Sequence, residues 1–320
     1  MRVLVSMCPS STSKTAEPDR RLGKKVIDLL IGIVQSQGVI GEEYVSPPDA
    51  CWFRATAGAA LIKLCHTNRH ARELGAHQLV ILANLAMDEV IGVRTHFATR
   101  LYKSCLYNML WLPFVSLFAL LVLPEEPDAE KRALIRGLAK NYLVASIKQK
   151  QRLLNGDMVQ VEERMLPYYV PEYVICYLLY VLSSLGSLQS HVDVPELTRM
   201  IEPIAFVLEI LKEEKMNFDL VARILADIRE STDPNYEDKK ERMVHAKKLW
   251  ALSDIAIQVI TYRLKIVIRD ESEKSAIPKR YLTKDSTISR KTVAQSFVPD
   301  EIIEYIAQGH GKLTTGKNAR

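Results

Sequence analysis

The segment SCLYNMLWLPFVSLFALLVLP, Ser104 to Pro124, runs for twenty-one residues without a charge. That length would serve a membrane span, because about 20 apolar residues cross a bilayer core of roughly 30 Å. Pro113, near its centre, argues against one. Proline has no amide hydrogen to donate and biases Leu112 away from helical geometry, so one helix is expected to end around Met109 to Trp111 and another to begin at Pro113. The second piece, Pro113 to Leu123, would be roughly 16 Å of helix at about 1.5 Å per residue. Each half is too short to span. The run is therefore expected to lie buried between other helices, which asks for a large helical protein around it.

The rest of the chain meets that requirement. From about Arg21 to Leu264 the apolar spacing is helical almost throughout, and no stretch alternates apolar and polar residues as a strand would. Helices are expected near 20–37, 49–66, 76–87, 89–110, 113–123, 128–154, 171–184, 194–214, 218–230 and 239–264. Short turns such as MDEV and LPEEPD separate them. Consecutive amphipathic helices on short connections predict an all-α chain, an α-solenoid of helical hairpins stacked side by side rather than one closed bundle. Three regions are expected: a disordered amino terminus at 1–20, the solenoid at 21–264, and a basic, mostly disordered tail at 265–320. Within that tail ESEKSAIPKR and KDSTISRK lack helical periodicity. A short helix is predicted at VPDEIIEYIA, where Asp300 can cap and Ile302, Ile303 and Ile306 make an apolar face.

Composition narrows the class further. At 48% apolar and 25% charged over 320 residues, the chain suits a soluble globular or repeat protein. Its five cysteines contain no CxxC pair, which implies a reducing compartment. The opening MRVLVSMCPSSTSK offers a three-residue apolar run, too short for a secretory signal, and nothing resembles a lipidation signal, so cytoplasm or nucleus is expected. No Gly-rich phosphate loop, HExxH, GxSxG or kinase signature is present, and a stack of long helices offers few catalytic loops; neither enzymatic activity nor a cofactor is expected. Cys65, His66, His70 and His77 in CHTNRHARELGAH form the best metal candidate, but their spacing lacks the paired ligands of a structural zinc site, and no metal is expected.

Charge is distributed unevenly. Asp128 to Asn155 carries seven basic residues against two acidic, and Arg263 to Arg320 twelve against seven, while the whole chain is only +5. One-sign charge gathered on one helix and one tail fits acidic partners or nucleic acid. Arg132, Arg136 and Lys140 recur every four residues, and are expected to point outward, opposite an apolar face of Leu134, Leu138 and Ala145. His96, Arg100, Lys103 and Tyr107 make a second row. Each row reads either as a solubilising surface or as the lining of a groove for an acidic peptide or a phosphate backbone.

One turn is more specific. In MDEVIGVRTHFATRLYK, Asp88 precedes Val93 by five residues and Arg94 by six, so the aspartate can cap the following helix while Val93 enters the core and Arg94 emerges beside it. This resembles the turn of a HEAT repeat, in which such Asp and Arg residues form a ladder through successive hairpins. DACWFRATAGAALIKL looks like a less regular copy, with Asp49 five residues before Arg54.

Seven segments in order carry a wider resemblance: RATAGAALIKL (54–64), MDEVIGVRTHFATRLYK (87–103), EKRALIRGLAKN (130–141), PEYVICYLLYVLS (171–183), FVLEIL (206–211), KLWALSDIAIQVI (248–260) and IPKRYLTKD (277–285). Together, over about residues 50 to 305, they resemble the carboxy-terminal part of the sister chromatid cohesion proteins named for precocious dissociation of sisters. Cys176 and the long connection LPEEPDAE depart from that family's pattern, and its members are much longer chains. The resemblance implies a non-enzymatic HEAT-repeat regulator of cohesin in the nucleus, which binds the kleisin subunit and maintains sister chromatid cohesion in mitosis, with chromatin or DNA contacted through the basic row and tail. It implies partner binding at Arg132, Arg136, Lys140, Arg100 and Lys103, and a structural ladder at Asp88, Val93 and Arg94. The rival expectation is a general helical-repeat adaptor of transport or signalling with no chromatin role.

Overall fold

A computed structural model describes residues 16–41, 44–108, 110–155, 162–269, 275–289, 292–293 and 295–308. The chain is all-α, of the helical-hairpin kind that makes α-solenoids. The helices are α1 (Ala16–Gln35), α2 (Pro47–Leu64), α3 (Asn68–Glu73), α4 (Ala76–Ala83), α5 (Ile91–Asn108), α6 (Leu112–Ser116), α7 (Ala129–Asn155), α8 (Val174–Ser183), α9 (Val194–Glu213), α10 (Phe218–Arg229), α11 (Lys239–Gln258) and α12 (Asp300–Ala307). The stretch 1–20, expected to be disordered, lies outside the described residues as far as residue 15; Ala16 onward is helical. Two compact units divide the chain, Met1–Val181 and Leu182–Arg320.

In the first unit α1 packs on α2, α2 on α5, and α5 on α7. The turn into α2 has a chemical cause: Ser46 caps the helix by accepting from the Asp49 amide, and Pro47 and Pro48 occupy first-turn positions whose amides would lack partners anyway. Before that turn Gly38 sits at φ +88, and a Cβ there would meet the Ala50 carbonyl oxygen at 2.0 Å, so only glycine fits. The uncharged run breaks where Pro113 requires. After α5 ends, α6 is a single short helix with Pro113 in its first turn, and Leu117–Val122 continues as 3₁₀ helix. The eleven-residue α-helix expected from Pro113 is thus split in two. Every residue from Pro113 to Leu121 is buried, with Leu117 and Leu120 at 0% exposure under α7, whereas Val122 is half-buried and Tyr107, earlier in the uncharged run, is exposed. No helix among the described residues is long and apolar enough to cross a membrane.

The second unit is centred on α11. Its amino terminus is capped by Asp238, which accepts from the Lys240 and Glu241 amides; Asn217 does the same for α10 through Asp219 and Leu220. Both α9 and α10 pack on α11. The carboxy-terminal region lacks helical periodicity, yet its described residues return to this core. Thr283–Lys284 pairs antiparallel with Ser231–Thr232, as a two-residue ladder that no sequence alternation announced. Tyr281, Leu282, Phe297, Val298, Ile302 and Ile306 are all buried. The short helix predicted around Asp300 forms as α12 and packs on α11.

The returning chain is held by three charged residues of the core, Arg229, Asp254 and Asp227. Arg229, at the end of α10, pairs with Asp254 of α11 and donates to the carbonyls of Val293 (2.6 Å) and Gln295. Asp254 accepts in turn from the Phe297 amide at 2.8 Å, and the Arg229 guanidinium lies 5.3 Å from the centre of the Phe297 ring. Asp227, nearly fully buried, receives Lys284 at 2.9 Å and Arg223 at 3.2 Å, so its charge is matched by two cations.

Candidate functional site

The turn at Asp88 is built from backbone and charge together. Asp88 accepts from the Val90 amide at 2.9 Å, which starts α5, and from Arg54 Nε at 2.6 Å and Nη2 at 3.0 Å, which ties α5 to α2. Arg54 therefore pairs forward with Asp88 and not with Asp49, whose carboxylate stays at the Ser46 cap. Val93 is buried. Arg94 is 3% exposed and faces inward: it donates to the Asp88 carbonyl at 2.7 Å and to Glu126 at 3.0 Å. Glu126, which sequence reasoning passed over, is the carboxylate that carries this chain of contacts onward to the turn before α7.

On α7 the expected apolar face is out of phase with the observed one. Ile135, Ala139, Leu143 and Ile147 are buried, whereas Leu134 is 65% exposed and Leu138 and Ala145 are only half-buried. The helix carries apolar residues on several sides, so two stripes fitted the pattern and packing chose the other one. Arg132, Arg136 and Lys140 consequently run beside the buried seam and not opposite it. Arg132 is already engaged, donating to the carbonyls of Glu126 (2.8 Å) and Pro127 (3.3 Å). Arg136 is half-buried and Lys140 exposed. Lys150, counted in the same charge run, is 1% exposed and 5.0 Å from the Tyr169 ring centre, and burial pushes its ammonium down to about 8. Part of that run's charge is therefore not surface charge.

The row His96, Arg100, Lys103 and Tyr107 on α5 borders a cleft of about 830 Å³ shared with α2. The α2 side supplies Trp52, Thr56, Ala59 and Lys63, at the same spacing of four, three and four residues. Equal spacing on two helices places both rows along one groove. The helices run parallel across it, because Trp52 meets His96 at one end (ring centres 6.1 Å) while His66 Nε2 meets Ser104 Oγ at 2.8 Å towards the other. Trp52 is 63% exposed and Tyr107 80%. Both histidines are held below the ordinary imidazole range, first by burial and then by a neighbouring cation, Lys63 for His66 and Arg100 for His96. Lys63, Arg100 and Lys103 are the cations of the groove, and none of them forms an ion pair among the described residues. Sequence reasoning found the α5 half. It missed Trp52 and Lys63, whose matching spacing lies some forty residues upstream.

Cys65, His66, His70 and His77, the metal candidate weighed in the sequence, do not come together. Cys65 and His70 are buried, His66 is tied to Ser104 and His77 is exposed, and among the described residues no three metal-ligating side chains come together.

Fold and surface together define a helical-repeat protein with a cation-rich, aromatic face. The sequence matches the family described as sister chromatid cohesion protein PDS5 protein over residues 1–281, and the chain belongs to that family. Among its relatives, sister chromatid cohesion protein PDS5 homolog B of Homo sapiens is 26% identical over 295 residues, which cover 91% of this chain and 20% of that protein. The homolog B of Gallus gallus is 26% identical over 293 residues, with the same coverage. The homolog A of Mus musculus is 25% identical over 258 residues, 80% of this chain and 18% of that protein. The chain thus spans about a fifth of the length of the curated relatives it matches.

Proposed function

We propose that this chain is a non-catalytic, cohesin-associated scaffold, acting in the nucleus in sister chromatid cohesion by holding the kleisin subunit along its helical surface. The observation that carries the reading is the family match over residues 1–281. Physical support comes from the architecture: helices stacked in hairpins present a long surface on which an extended or helical peptide can lie over several repeats, with apolar anchors and basic residues sharing the energy. The row Arg132, Arg136 and Lys140 is the surface assigned to that contact.

Affinity purification of the tagged chain tests the reading, with enrichment of cohesin subunits expected. Their absence would leave the general adaptor in its place. The surface is tested separately by reversing Arg136 and Lys140 to Glu, adding Arg132→Glu only as a second step because that change also removes two hydrogen bonds to the α7 turn. Kleisin capture should weaken by at least about tenfold in the double reversal, or about 1.4 kcal/mol. Undiminished capture would return the row to the role of a solvated face. If the same reversal instead weakens duplex DNA with a flattened salt dependence, the row contacts a phosphate backbone.

A further inference from the structure

The α2–α5 groove has the makings of a second binding site, separate from the α7 row. Trp52 and Tyr107 leave large aromatic surfaces in water near its two ends, and the Trp52 ring is paired with His96, so its position is fixed before any ligand arrives. Between them the α2 side of the cleft is lined by Phe53, Thr56, Ala59, Ala60 and Ile62, an apolar wall in which the three small residues leave room for a bulky side chain. Around that room stand the exposed cations Lys63, Arg100 and Lys103, and among the described residues no carboxylate lines the cleft. Each row spans twelve residues, or eleven steps, so the groove is about 16 Å long at about 1.5 Å per step. That length accommodates about five extended residues or three helical turns.

We infer that this groove docks an acidic linear peptide carrying one bulky aliphatic or aromatic side chain, which would enter between Trp52 and Tyr107 while its flanking carboxylates meet Lys63, Arg100 and Lys103. Charge complementarity chooses the sign of the ligand, and the apolar lining between exposed rings chooses a protein side chain over a phosphate backbone. Aromatic and arginine residues of this kind are the ones that dominate binding energy at interfaces. The inference rests on reading this face as a partner-binding one, but not on cohesin being the partner.

The test is selection of a random 12-residue peptide display library on the full chain, followed by fluorescence anisotropy with the enriched peptides. Enriched sequences are expected to be acidic with a bulky apolar residue. Replacing that residue by Ala in the peptide should weaken binding by about tenfold or more. So should Trp52→Ala, and so should the pair Arg100→Glu and Lys103→Glu. Reversal of Arg136 and Lys140 on α7 should change the same affinity by less than about twofold, since separated sites act independently. Thermal melting of every variant must coincide with the parent's; should Trp52→Ala not fold, Lys63→Glu takes its place. The inference is overturned if no acidic peptide is enriched, if enriched peptides bind the groove variants as tightly as the parent, or if the charge reversals lower affinity for a 20-base-pair duplex and leave peptide affinity alone. Failure of the cohesin reading is distinguishable, because cohesin subunits would then fail to co-purify while the selected peptides still bind.

Discussion

Arginine does different work in the two units. In the first, Arg54 and Arg94 link one helical hairpin to the next: each reaches a carboxylate more than thirty residues on, Asp88 and Glu126, across the boundary between successive repeats. In the second, Arg229 reaches across no repeat boundary. It pairs with Asp254 and then holds the carbonyls of Val293 and Gln295, so the same chemistry clasps a segment with no periodicity of its own. A stack of similar hairpins can extend its contacts by repetition, whereas a stretch of irregular chain needs one fixture with several donors. The planar guanidinium suits both tasks because its donors point in several directions at once.

The largest test bears on the core of the first unit, on which its repeat contacts stand. Replacing Leu117 or Leu120 with Asp places an unpaired charge where exposure is zero, at a cost of several kcal/mol against a total of about 5–15 for a domain. Soluble yield and the cooperative melt should both collapse. A variant that melts with the parent would mean that the uncharged run is not a core.

Next comes the clasp. Arg229→Ala should cost about 3 kcal/mol, because it strands Asp254 and frees two carbonyls at once. Limited proteolysis should show new cleavage within 275–308 before any elsewhere. Cleavage that begins in α2 or α5 instead would erase the distinction drawn between the two arginine roles.

Arg94→Ala should cost somewhat less, about 2 kcal/mol, since it removes one donor from the Asp88 carbonyl and strands a Glu126 carboxylate that is only half-buried and can take water instead. Partner affinity per folded molecule should stay at the parent value. Lost binding at full stability would move Arg94 from the frame of the repeat to its working surface.

The last effect is graded by pH and belongs to the second unit. His245 is buried beside the Ser183 and Ser184 hydroxyls and the Tyr236 ring, and burial lowers its imidazole from an ordinary 6.5 to about 4, with Asp233 opposing the shift and Lys248 adding to it. A depressed histidine binds its proton more readily in the unfolded chain. Its contribution to stability is therefore complete above about pH 6.5 and falls away towards pH 4, at up to about 1.4 kcal/mol per pH unit. Denaturant titrations from pH 7 to 4.5 should show that slope in the parent and a shallower one in His245→Asn. Equal slopes would assign the acid sensitivity to other groups.

The sequence made the helices legible wherever a local signal fixed them. Pro113 marked the break in the uncharged run, and Asp193, Asn217 and Asp238 each stand at a capping position where a helix begins. Legibility failed where the signal was shared or distant. Helix α7 offered two apolar stripes, and only contact with the 3₁₀ segment and α5 selected Ile135, Ala139, Leu143 and Ile147. The groove needed Trp52 and Lys63 brought beside Arg100 and Lys103, a juxtaposition that no window of one helix contains. Lys150 looked like surface charge because burial of a lysine leaves no mark in its neighbours' letters.

The turn geometry also bears on how such repeats can diverge. Arg94 donates to the carbonyl of Asp88, Arg132 to that of Glu126 and Arg242 to that of Tyr236, six residues back in every case. Every residue type has the same carbonyl oxygen, so the position six before the arginine is free to drift, and in this one chain it is already an aspartate, a glutamate and a tyrosine. What descent must preserve is an interval and not a letter. Copies of this turn that share no recognisable motif can therefore be sought by the distance from an arginine to the start of its helix, even where comparison of residue identities has lost them.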